Sequence, residues 1–94
     1  MEINSIPEAF HSKLRLAILS SLLTGQKSFS ELKDITSATD GNLGAQIKKM
    51  ADSGFVMVEK EFVKNKPQTT CIITEYGRAQ LIEYVEMLEN IIKQ

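Results

Sequence analysis

The chain has no tryptophan, one cysteine, one histidine and two prolines, and only 6% of it is aromatic. A single thiol, Cys71, excludes an internal disulfide and fits a reducing cytoplasm. His11 and Cys71 together fall short of the ligand set a zinc ion needs, so no metal is expected. No apolar run approaches the roughly 20 residues that cross a bilayer. The opening MEINSIPEAF has no basic stretch ahead of an apolar one, so no secretory signal is read. A soluble, cytoplasmic protein without a membrane role is expected. Charge of one sign is lacking too: 11 Lys and Arg stand against 12 Asp and Glu, a net charge of -1. Blanket electrostatic adhesion to nucleic acid is thereby excluded, and any such binding must come from local charge placement. No nucleophile with a histidine partner, glycine-rich phosphate loop or metal-spaced ligand set is visible, which argues against an enzyme and against a cofactor.

What is there fits one small domain over residues 1–94, with a core modest enough that chains of this size often lean on oligomerisation. The rest of the chain is organised around the stretch 28–54, which reads as two helices joined by a polar turn. Ser28 and Glu31 form a capping box, and Phe29, Leu32 and Ile35 recur at helical spacing. Thr-Ser-Ala-Thr-Asp from Thr36 competes for backbone hydrogen bonds and favours a turn, with a fresh N-cap at Thr39 or Asp40. The second helix starts near Gly41, places Leu43, Ile47, Met50 and Ala51 on one side, and stops at Gly54. Its other face sets the small residues Gly41 and Ala45 among Asn42, Gln46, Lys48 and Lys49. Amides read adenine edges bidentately and lysines meet guanine or phosphate, so this face suits the major groove of DNA. A solvated amphipathic helix with chance amides is the plainer alternative.

Before this stretch, Ser5 with Glu8 offers another capping box and predicts a short helix to Phe10. Ser12 caps a helix over 13–23 whose Leu14, Leu16, Ile18, Leu19, Leu22 and Leu23 cover more than half its circumference, an arc wide enough for a core and a second partner. Arg15 lies inside that arc and needs a carboxylate, helix-end carbonyls or a DNA phosphate. An ion pair is the first expectation. After Gly54 the pattern becomes extended. Phe55–Val58 and Thr69–Thr74 are β-prone, and the polar segment 59–68 between them reads as the long tip of a hairpin carrying Lys60, Lys64 and Lys66. Taken alone, those lysines are what exposed hairpins carry for solubility. Cys71 in an apolar strand reads as buried, and a redox role is the weaker reading. Thr74 caps a last helix to about Ile92, with Leu81, Tyr84, Val85, Leu88, Ile91 and Ile92 as its apolar stripe. Leu81, Val85, Leu88 and Ile92 keep the 4-3-4 spacing of a helix seam. That stripe covers the domain's own core or joins a second copy. A helix of some eighteen residues, roughly 27 Å at 1.5 Å per residue, exceeds what so small a core needs, which favours the dimer.

The order helix, helix, helix, helix, hairpin, helix, with these residues, resembles the winged helix-turn-helix transcriptional regulators of the MarR and ArsR type. The segments that carry the resemblance are Arg15-Leu16-Ala17-Ile18-Leu19 with Leu22, Phe29-Ser30-Glu31-Leu32-Lys33, Gly41-Asn42-Leu43, Ile47-Lys48-Lys49-Met50, Gly54-Phe55-Val56, Lys66-Pro67-Gln68-Thr69 and Ile73-Thr74-Glu75-Tyr76-Gly77-Arg78. The resemblance implies an α+β, mostly α fold: helix-turn-helix 28–54, wing 55–74, and a dimerisation helix 75–93. It implies a dimeric repressor of transcription with the 41–53 helix in the major groove of double-stranded DNA and wing 60–68 on the backbone or minor groove. Contacts to DNA are expected from Thr39, Gly41, Asn42, Ala45, Gln46, Lys48, Lys49, Lys60, Lys64 and Lys66. Contacts between copies are expected from Leu16, Leu23, Leu81, Tyr84, Val85, Leu88, Ile91 and Ile92. Gly44 and Gln46 stand where the family often has serine and histidine, so the contacts those residues make do not carry over. The metal-binding cysteines and histidines of the ArsR type are absent. A small-molecule effector is left open, and a winged helix that binds protein instead of DNA is the alternative.

Overall fold

The computed structural model describes residues 1–94. Four helices, α1 Lys13–Leu22, α2 Phe29–Thr36, α3 Asp40–Asp52 and α4 Glu75–Ile92, surround a small sheet of β1 Lys27–Ser28, β2 Val56–Val63 and β3 Lys66–Ile73. All pairings are antiparallel and the strand order is β1-β3-β2. The architecture is the mostly helical winged helix expected from the sequence.

Each helix begins where a side chain can replace a missing backbone partner. The Ser12, Thr39 and Thr74 hydroxyls accept from the backbone N–H of Arg15, Asn42 and Gly77. At α2 the capping box is complete: Ser28 accepts from Glu31 N–H, and the Glu31 carboxylate accepts from Ser28 N–H at 3.0 Å. That hydrogen bond to the charged form, mainly from the Ser28 backbone, holds the Glu31 carboxyl below its usual pKa.

Ile18, Leu19 and Leu22 of α1, Leu32 of α2, and Leu43, Ile47 and Met50 of α3 meet Phe55, Val56, Cys71, Ile73 and Leu81 in one core. The exit of α3 is tied to the start of α4 there. Gly54 takes a left-handed φ of 82°, and the Thr74 hydroxyl donates to the Gly54 and Phe55 carbonyls at 2.6 and 3.1 Å. Gly77 packs so closely on Phe55 that a Cβ there would overlap the Phe55 carbonyl.

Three expectations need correction. The first helix is absent: 3-10 turns at Ile3–Ser5 and Glu8–Phe10 flank an extended Ile6, and the Ser5 hydroxyl donates to Glu2 O instead of capping. Pro7 pushes the residue before it out of helical space, which breaks the segment in two. The wing has no long tip. β2 and β3 pair all the way from Val56↔Ile73 to Val63↔Lys66, leaving the two-residue turn Lys64-Asn65. Both turn residues have positive φ, 53° and 65°, as the tight turn matched to strand twist requires. Residues 59–62, polar but for Phe62, therefore belong to a strand, because a two-stranded ribbon clear of the core needs no apolar alternation. Finally, Arg15 forms no ion pair.

Candidate nucleic-acid interface

The core fixes which side of α3 faces out. With Leu43, Ile47 and Met50 inward, Gly41, Asn42, Ala45, Lys48, Lys49 and Asp52 are exposed, and Gln46 lies half-buried on the flank towards α1. Thr39, exposed, already spends its hydroxyl as the α3 cap. Lys33 of α2 clamps Asp40 in the first turn of α3 at 2.7 Å, and hydrogen bonding to that carboxylate raises the lysine pKa. Lys48 pairs with Asp52 at 3.0 Å on an exposed surface, an interaction worth little in water.

Arg15 is where the structure departs most from the sequence reading. Its guanidinium donates to Gln46 Oε1 at 2.7 Å, to Glu8 O at 2.9 Å and to Ala9 O at 3.3 Å. Gln46 Nε2 donates onward to Asn42 Oδ1 at 3.3 Å. Carbonyls and an amide satisfy the charge, and the amides of α3 are joined to α1 through it. Helix-end carbonyls were among the partners expected for Arg15, but the sequence offered no sign of the Gln46 contact, since residues 15 and 46 meet only through the packing of α1 on α3.

Between α3 and the sheet runs a groove of about 430 Å³ lined by Gly44, Ile47, Lys48 and Ala51 on one side and Val58, Lys60 and Thr69 on the other. A second hollow of about 590 Å³, near the wing turn, is lined by Lys64, Lys66, Gln68, Phe29 and Ser30. Of the five expected lysines, Lys48 and Lys60 stand across one groove, Lys64 and Lys66 lie at the wing end, and Lys49 stands apart beside Arg15 and Asp52. Lys49, Lys60, Lys64 and Lys66 form no ion pair. Phe62, beside the wing turn and 78% exposed, was not singled out from sequence. It follows Val56, Val58 and Lys60 on one strand face, a signal available only once β2 is known to run to Val63.

On α4 the stripe divides. Leu81 is buried in the chain's own core and Tyr84 stacks on Phe10 with ring centroids 4.8 Å apart. Met87, not singled out from sequence, is buried as well. Leu16 and Leu23 pack partly against the same core. Val85, Leu88, Ile91 and Ile92 are exposed, and Ile82 joins them. At about 100° per residue, Leu88 and Ile92 share the face of buried Leu81 further along the helix, and Val85 and Ile82 continue that face to one side, so the exposed residues lie towards the C-terminal end and one flank of the stripe.

Cys71 is buried on β3, and burial pushes its thiol up to about 11, so at neutral pH it is protonated and a poor nucleophile. No helix is long and apolar enough to cross a membrane.

A family model described as a winged helix DNA-binding domain matches residues 14–92. An uncharacterised protein of Methanocaldococcus jannaschii is 37% identical over 78 residues, which cover 81% of this chain and 84% of that one. Among solved structures, a transcriptional regulator homologue from Pyrococcus horikoshii OT3 matches with a TM-score of 0.83 at 26% identity, over 90% of this chain and 85% of that one. A protein described as a MarR-family transcriptional regulator from Enterococcus faecalis V583 matches with a TM-score of 0.79 at 24% identity, over 97% and 82% of the two chains. The helix-turn-helix, the paired wing and the match over most of the chain agree, and this chain belongs to the family of winged helix DNA-binding domains, with the MarR- and ArsR-like fold of transcriptional regulators, which are not enzymes.

Proposed function

We propose that the chain is a sequence-specific, dimeric repressor of transcription that sets α3 in the major groove of double-stranded DNA and the wing along the backbone or minor groove. The observation that carries this reading is the outer face of α3, where small residues sit beside exposed Asn42 and the unpaired Lys49. A helix so faced lets its backbone come close while its amide and ammonium groups reach base edges and phosphates. Lys48 and Lys60 flank the groove beside α3, and Lys64 and Lys66 lie at the wing end. Two copies pair through the exposed arc of α4, Ile82, Val85, Leu88 and Ile92, with Ile91 beside it. A two-fold pair of α3 helices then meets half-sites about 10 base pairs, or a whole-turn multiple, apart.

Selection of bound sequences from random duplex DNA with the purified protein tests the reading. A recovered palindrome with that spacing is the expected result. Binding without sequence preference at any salt concentration overturns the specific role, and no binding at all favours a winged helix that docks protein.

A further inference from the structure

The hydrogen-bond chain from Arg15 to Asn42 has a direction, and the direction has a consequence for which base is read. A guanidinium donates only, so the Gln46 oxygen, 2.7 Å from Arg15 Nη1, must be the end of the amide turned towards α1. The Gln46 NH2 is then the end turned towards Asn42, where it donates to Oδ1. Asn42 in turn has its oxygen engaged and its NH2 free. Two further bonds hold the guanidinium in place, to the Glu8 and Ala9 carbonyls, and both come from the 3-10 turn that precedes α1. The amide order is thus anchored from outside the recognition helix.

A free asparagine or glutamine offers one acceptor and one donor, the pattern that matches adenine N6 and N7 bidentately. With both oxygens turned back along the chain, this pair projects donors: the Asn42 NH2 and the second proton of Gln46 Nε2. Of the four bases, guanine alone presents two adjacent acceptors, O6 and N7, in the major groove. Asn42 lies in the first turn of α3, the part of a recognition helix that meets base edges, and it is exposed. We infer that Arg15 is a positioning residue for base recognition: by fixing the polarity of the Gln46 and Asn42 amides it makes them select guanine over adenine in each half-site. This rests on the DNA-reading role of α3 proposed above.

The test compares sequences selected from random duplex DNA by the parent chain, Asn42→Ala, Arg15→Met, Arg15→Lys and Gln46→Glu. Asn42→Ala first identifies the position read, as the one whose preference it flattens. At that position the parent is expected to choose guanine. Arg15→Met keeps most of the apolar stem but frees the Gln46 oxygen, and should lower the guanine-over-adenine ratio about fivefold or more while leaving affinity for unrelated DNA within about twofold. Arg15→Lys retains a donor and should restore much of the ratio. Gln46→Glu still accepts from Arg15 but cannot donate to Asn42, so it too should lose the guanine preference, and it does so without emptying the Arg15 site should Arg15→Met fold poorly. Adenine chosen by the parent at the Asn42 position, or an unchanged ratio in both Arg15→Met and Gln46→Glu, overturns the inference while leaving DNA binding intact. A parent chain that selects no sequence overturns the functional proposal itself and this inference with it.

Discussion

Helices α3 and α4 each bury one side in the same core, yet they leave opposite surfaces outside. On α3 the outer side is small and polar, with Gly41, Asn42, Ala45 and Lys49, and carries two lysines against two aspartates. On α4 it is apolar and acidic: Ile82, Val85, Leu88, Ile91 and Ile92 are exposed, and one arginine stands against four glutamates. An acidic helix repels a phosphate backbone, while its exposed apolar arc loses most by staying in water. The chain's net charge of -1 therefore averages two surfaces of different chemical character. Near-neutrality, which by itself argues against nucleic acid, is compatible with a DNA face because the four glutamates of α4 lie on a different helix from the lysines of α3. Both helices depend on one joint.

Gly77 lies where α4 crosses the α3 exit, and a Cβ there would overlap the Phe55 carbonyl, with Phe55 C only 3.0 Å away. Backbone cannot yield as a flexible side chain would. Gly77→Ala should cost about 3 kcal/mol or more, or prevent folding, as read by denaturant titration. A change below about 1 kcal/mol would show that the two helices are less rigidly joined than the structure indicates.

The next change separates the buried and the exposed parts of the α4 stripe. Leu81 is 2% exposed and Leu88 39%. Leu81→Glu places a charge in the core and should unfold the chain. Leu88→Glu should leave it folded but monomeric, with a circular dichroism spectrum like the parent's and half its mass in sedimentation. A Leu88→Glu chain that remains a folded dimer would move the interface elsewhere.

Much of this division was legible in the sequence, and the reasons differ by region. The caps at Ser12, Ser28, Thr39 and Thr74 are local: one side chain and a backbone group three residues on, so composition and spacing suffice. The inward faces of α1 and α3 follow from helical period. Two things were not legible. The wing lacks the Asn-Gly or Asp-Gly signal of a two-residue turn, and its strands carry polar residues because much of the hairpin lies clear of the core, so periodicity was silent there. Lys64 and Asn65 adopt positive φ without that signal. The Arg15–Gln46 contact joins residues 31 apart, and only the packing of α1 against α3 brings them together. On α4 the period gave the stripe but not its division between core and outside, because Leu88 and Ile92 share the face of buried Leu81 and differ only in lying further along the helix, beyond the core.

The wing provides a smaller effect, confined to α3's side of the comparison. If Lys64 and Lys66 each meet one phosphate per copy, Lys64→Ala with Lys66→Ala removes about four contacts per dimer. The slope of log K against log salt should then flatten by roughly 3 to 4, while the selected sequence stays the same. An unchanged slope would mean that the wing is held off the DNA. Charge changes on α4, such as Glu86→Gln, serve as the comparison and should leave the number of released counterions as it was.

The smallest change addresses why α3 has glycine in its interior at all. Gly44 is in the middle of the helix, its φ is not in the left-handed region, and an added Cβ would meet nothing within 4 Å. Neither backbone conformation nor internal packing requires it, and glycine in a helix interior costs roughly 0.5–1 kcal/mol relative to alanine. Gly44→Ala should therefore raise the unfolding free energy by about that amount and the melting temperature by a few degrees. Its cost should appear only against a partner. Gly44 borders the groove between α3 and the sheet, opposite Val58 and Lys60, so a methyl group there would hold a docked DNA backbone away. The expected variant is more stable and binds its selected sequence more weakly, a pairing that loss of structure cannot produce. A variant more stable and equally tight would show that the partner does not approach α3 on this side, and would shift the reading face towards Ala45 and Lys49.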